Sequence, residues 1–116
     1  IAFLSIGFQS AAAVIFWLIP VLLGQPVLRL YLLAEHTGCP LVPDMLRNSR
    51  TTITSAAVRF LAWNMPYHAE HHACMALPFH ALPKAHTLFR NRIHTLTPGY
   101  LAFNRQLVRD IRERAG

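Results

Sequence analysis

From Ile1 to Leu28 the chain carries no charged side chain, and all 11 Lys/Arg and 5 Asp/Glu lie at or after Arg29. That partition constrains the fold more than any other feature. A helix rises ~1.5 Å per residue and a bilayer's hydrocarbon core is ~30 Å thick, so Ile1–Leu23 is long enough to cross it. Gly7, Gln9, Ser10 and Pro20 within the run suit a helix packed against others better than one facing lipid alone. The competing reading is a buried helix of a large soluble core. A signal peptide fits poorly, because no basic stretch precedes the run and no convincing cleavage site follows it. The sequence starts inside the apolar run without an initiator Met, and is expected to be the C-terminal piece of a longer protein.

The remainder is basic. A net charge of +6 on 116 residues invites a nucleic-acid reading. Two features argue against it: the arginines are spread with no RNA-binding aromatic signature among them, and the apolar head suits a membrane instead. Anionic headgroups account for the same charge, and the positive-inside rule places the remainder in the cytoplasm. The only cysteines, Cys39 and Cys74, form no C-x-x-C pair. They are expected as reduced thiols.

Gly24-Gln25-Pro26 marks the expected exit from the hydrocarbon, with a second apolar run from Val27 to Ala34 continuing as a helix at the interface. Gly38 and Pro40 form a stop signal just after His36, which puts that imidazole at a helix end. Arg47-Asn48-Ser49-Arg50-Thr51-Thr52 reads as a polar strip. It is either a solvated or headgroup-facing loop, or one in which Arg47 and Arg50 grip an anionic substrate headgroup. Ser55–Met65 fits an interfacial helix, too short to span, with Trp63 near the headgroups and Arg59 able to snorkel. Asn64 and Pro66 then stand where cap and first-turn residues precede a helix. Pro78 and Pro83 forbid a long regular helix and leave an irregular apolar strap. From Thr97, a possible N-cap before Pro98, the spacing of Tyr100, Phe103, Leu107 and Ile111 predicts a basic amphipathic helix.

The chemistry concentrates in His68-Ala69-Glu70-His71-His72. On a helix the three imidazoles fall within an arc of about 100° and Glu70 projects from roughly the opposite side. Neutral imidazole binds Zn, Fe, Cu or Ni, so the spacing proposes a metal site without choosing the metal. Neither cysteine lies at ligand spacing with the cluster, and the H-E-x-x-H pattern of zinc proteases is absent. His80, His86 and His94, taken singly, read as surface or hydrogen-bonded residues.

The run Asn64-Met65-Pro66-Tyr67-His68-Ala69-Glu70-His71-His72, followed by Leu77-Pro78-Phe79-His80-Ala81-Leu82-Pro83, resembles the third histidine box of the membrane fatty acid desaturases, H-x-x-H-H. Arg29–Gly38 and Arg47–Thr52 also resemble that family's bacterial acyl-lipid members. The resemblance implies an all-α fold: the C-terminal part of a membrane helical bundle, with one transmembrane helix here and a cytoplasmic helical cap. It divides the chain into a transmembrane segment (1–28), a cytoplasmic metal-site region (29–96) and a basic amphipathic helix (97–116).

It further implies two irons, with His36, His68, His71 and His72 as ligands and Glu70 as an acid orienting an imidazole through its distal N–H, unless that carboxylate is merely solvated. Asn64 would bond to the box or cap its helix. O2 is the implied co-substrate, a membrane lipid or acyl chain the substrate, and a ferredoxin or cytochrome the external electron donor. The family's first two histidine boxes do not occur in this sequence, so the fragment alone is expected to be inactive and to need a missing N-terminal part. Related hydroxylases and ketolases share the third box, and a non-catalytic metal-binding module is the non-enzymatic alternative. Leu32 stands where acyl-CoA members carry Asn four residues before the extra histidine.

Overall fold

The computed structural model describes Phe3, Gly7 and residues 11–116. They are mostly helical, and the chain divides into two units, Ile1–Tyr31 and Leu32–Gly116. The expectations for Ile1, Ala2 and most of the next eight residues, including Gln9 and Ser10, lie outside the described residues.

In the first unit a π-helical stretch, Val14–Leu18, leads into helix α1, Ile19–His36, whose last five residues belong to the second unit. The Ile19 N–H reaches the Val14 carbonyl, five residues back. Pro20 accounts for this: a proline ring collides with the carbonyl four residues earlier and supplies no N–H, and a widened turn moves that carbonyl away. Pro26 lies inside α1, and the run after Gly24-Gln25-Pro26 continues as helix to His36, as the sequence leads one to expect. Val14–His36 is 23 residues long and apolar enough to cross a membrane, and the most apolar window within it is not buried inside the structure. At ~1.5 Å per residue it spans roughly 34 Å.

In the second unit, α1 ends at a left-handed glycine, Gly38 (φ 79°), with the Cys39 N–H on the His36 carbonyl. This is the stop that Gly38 and Pro40 predict. Helix α2, Met45–Asn48, is capped by Asp44, whose carboxylate accepts from Leu46 N at 3.0 Å. Strand β1, Arg50–Thr52, pairs in parallel with strand β2, Thr95–Thr97, in the register Arg50↔Thr95, Thr51↔Leu96, Thr52↔Thr97. Ser49, Arg50, Thr51 and Thr52 are all buried, which overturns the solvated-loop reading of that stretch. Thr52 N also donates to the Pro66 carbonyl at 2.9 Å, so β1 is held on both sides.

Helix α3, Ala56–Leu61, starts from Ser55, which accepts from Val58 N. Its Phe60 and Leu61 are exposed, as is Trp63 after it. Trp63 (φ 52°) and Asn64 (φ 57°) are left-handed, and helix α4, His68–Ala73, begins only after Tyr67. A single 3-10 turn, Phe79–Ala81, then leads into helix α5, Leu82–Phe89, with Pro83 in its first turn, where a missing N–H costs nothing. Helix α6, Tyr100–Ala115, follows Gly99 (φ 108°); Thr97 is in β2 instead of capping it. Among the described residues the buried apolar side chains include Ala34, Leu46, Ala69, Leu82, Ala85 and Phe103, drawn from α1, α2, α4, α5 and α6, together with Pro66.

Candidate metal centre

Helical spacing sorts the α4 side chains. His72 follows His68 by a little more than one full turn and His71 by a little less, so the two flank His68 on one side of the helix, whereas Glu70 falls on the opposite side. His68 and His72 thus share a face, with their ring centroids 4.4 Å apart. Across from them stands His36, the last residue of α1. Its ring centroid is 4.9 Å from that of His68 and 5.1 Å from that of His72. One donor nitrogen from each of His36, His68 and His72 can be chosen so that all three lie within 4.8 Å of one another.

His71 diverges to the other flank. Its ring centroid is 5.7 Å from that of His72 and 6.4 Å from that of His68, and its nitrogens fall outside the three-residue group.

The His36 ring is set by its second nitrogen. His36 Nδ1 lies 2.9 Å from the Asn48 carbonyl. A carbonyl only accepts, so Nδ1 carries the proton and Nε2 keeps its lone pair for the site. His36 Nε2 and His68 Nε2 are 3.0 Å apart. Two ligand nitrogens about 2.1 Å from one metal and about 90° apart are separated by about 3.0 Å, so the pair fits a shared ion. His68 Nδ1 and His71 Nδ1 are buried with no hydrogen-bond partner among the described residues, the condition of imidazoles arranged for something other than each other. The Glu35 carboxylate stands 3.5 Å from His68 Nδ1, beyond hydrogen-bond geometry but close enough to bias that ring.

The charge state suits ligation. Burial pushes the His68 pKa from 6.5 down to about 3, helped by His72, His36 and His71 around it. Burial, then His36 and His71, also lowers that of His72. Neutral rings with free lone pairs are what a metal needs, since a protonated imidazole must shed its proton to bind.

The other residues singled out in the sequence are placed as follows. Glu70 is fully buried on the far side of α4, where it accepts from Thr51 Oγ1 and is paired with His86 Nδ1; its hydrogen bonds go to neither His36, His68, His71 nor His72. Asn64 Nδ2 donates to the Phe79 carbonyl at 3.2 Å. Arg47 is exposed, whereas Arg50 is buried, donates to the Ala34 carbonyl at 2.6 Å and lies 4.5 Å over the Phe103 ring. Sequence reasoning missed Glu35, Asn48, Thr51 and His86. Glu35 directly precedes a candidate ligand, which is a signal the sequence carries; the others meet the site only through tertiary contacts.

Three histidines converge at the end of a helix long and apolar enough to cross a membrane, an arrangement compatible with a metal site. The chain belongs to the fatty acid desaturase family: the family model described as Fatty acid desaturase matches residues 1–104. No curated protein and no solved structure matches it.

Proposed function

We propose that these residues supply one side of a di-iron centre in a membrane oxidoreductase that introduces a double bond into an acyl chain. The observation that carries this reading is the convergence of His36, His68 and His72 within 4.8 Å, in a chain of the desaturase family. When bound, two irons reduced by an external electron donor supply the oxidising power, from O2, to take hydrogen from an unactivated C–H bond, which acid–base side chains cannot do.

The protein's share is positional. His36, His68 and His72 would hold one side of the centre and His71, turned about 100° around the helix from His72, would reach a second position. The Asn48 carbonyl fixes the His36 tautomer, and burial keeps His68 neutral. The remaining ligands would come from two further histidine boxes outside these residues. The centre is proposed to lie on the cytoplasmic face, at the end of the Val14–His36 span, within reach of a lipid-borne acyl chain and of a ferredoxin or cytochrome donor.

The test is expression of the whole gene in a host lacking the activity, with the acyl chains analysed by gas chromatography and mass spectrometry. A new double bond that disappears in His71→Ala is expected. No new product, or a product unaffected by His71→Ala, refutes the reading.

A further inference from the structure

We propose that His86, outside the histidine box, is a positioning residue for the metal centre: with Thr51 it clamps Glu70 and so fixes the rotation of the ligand-bearing helix. The inference rests on the function proposed above.

A six-residue helix has no stability of its own, because too few hydrogen bonds offset the cost of nucleating it. Helix α4 therefore takes its position from what surrounds it. Glu70, at 0% exposure, is the most deeply buried charged residue of α4 and points away from the ligand face. A carboxylate so placed must find donors or forfeit several kcal/mol of lost hydration. Both its oxygens find one: Oε2 accepts from Thr51 Oγ1 on β1, and Oε1 pairs with Nδ1 of His86 on α5. The His86 ring is also packed against Tyr67, the residue before α4, with centroids 5.0 Å apart. Three elements thus meet at one carboxylate directly behind the metal ligands.

The leverage is large. Ligand nitrogens on a helix stand roughly 6 Å from its axis, so a rotation of about 10° moves them by about 1 Å. Metal–ligand distances tolerate about 0.2 Å. Glu70 acts on the helix as a whole, and His86 is the donor that holds Glu70; neither touches the ligand rings to do so.

The test uses the intact membrane protein in detergent with cobalt(II) as probe, reading its affinity by chelator competition and its visible absorption band at saturation. His86→Leu keeps bulk and removes the donor; His86→Asn restores a donor near the Nδ1 position; Thr51→Val removes the second donor and keeps shape. With helix content unchanged by circular dichroism, His86→Leu and Thr51→Val are expected to weaken cobalt binding about 10- to 100-fold and to shift the band, and His86→Asn to recover most of the loss.

Unchanged affinity and band in His86→Leu overturn the proposal, as does a His86→Asn variant no better than His86→Leu. If His86→Leu fails to fold, Thr51→Val decides by the same criteria. A parent protein that binds no cobalt overturns this inference together with the proposed function. A parent whose cobalt is lost on His68→Ala but is indifferent to His86→Leu and Thr51→Val overturns this inference alone.

Discussion

Acidification of the metal-free protein should destabilise it through His68, with a sign and size set by the site. In the unfolded chain His68 takes up a proton as the pH falls through 6.5, whereas in the folded protein it resists until about 3. Between those values the unfolded state binds more protons, so stability rises with pH and is lost as pH falls. At about 1.36 kcal/mol per unit of pKa, the full shift amounts to at most about 5 kcal/mol. The neighbouring Glu35 carboxylate, 3.5 Å away, reduces this by offering a charged ring some compensation. The slope should approach ~1.4 kcal/mol per pH unit near pH 5, and His72, shifted in the same direction, adds to it.

The assay is urea unfolding of metal-free protein in detergent, followed by circular dichroism at several pH values from 7.5 to 4. His68→Leu, which cannot titrate, should show a visibly shallower dependence than the parent. Identical pH dependence in the two proteins, or a parent that gains stability on acidification, refutes the reasoning.

Two further perturbations probe the scaffold. Leu82→Ala empties the fully buried start of α5 and should cost about 2–5 kcal/mol, read as an earlier thermal midpoint of the same detergent sample. Arg50→Met keeps an apolar stem but loses the hydrogen bond to the Ala34 carbonyl and the contact with the Phe103 face. Those are worth about 1.5–3 and ~2 kcal/mol respectively. Burial holds the Arg50 pKa below its usual range, so relief of that cost offsets part of the loss. A net destabilisation of about 2 kcal/mol is expected, read by the same urea unfolding; a variant as stable as the parent would show that the buried guanidinium contributes nothing net.

What the sequence made legible was whatever is carried by local pattern. The uncharged run, the Gly38 and Pro40 stop, the three-to-four spacing of the histidines and the amphipathic tail each depend on neighbours within a few residues, and among the described residues the structure has a helix or a helix end at each. The solvated-loop reading failed at Ser49–Thr52, while Arg47 stays exposed; the buried part pairs with β2, more than forty residues later and only three residues long. A segment that short has no periodicity to read.

Asn64 and Pro66, read as residues that precede a helix, do precede one, since α4 begins at His68; but Tyr67 stands at its cap position, and Trp63 and Asn64 adopt left-handed geometry. Asparagine tolerates that geometry as readily as it caps, so the residue type alone did not decide. Glu70 shows the same limit from the other side. Its direction on the helix was predictable from angle alone, but its partners Thr51 and His86 lie 19 and 16 residues away along the chain.

The parallel pairing of β1 with β2 also fixes an order of events during synthesis. The candidate ligands His36, His68, His71 and His72 all leave the ribosome before Thr95–Thr97, the strand that completes β1's pairing and so steadies the Thr51 hydroxyl. Contacts of such long sequence separation form late, after the chain between them has been delivered and its loop closed. The nascent chain therefore exposes the histidines before their scaffold is fastened. On the proposed function, ordered metal loading would follow translation of Thr97, and a chain stopped anywhere before Thr95 would carry all four of these histidines without the β1–β2 strand pair.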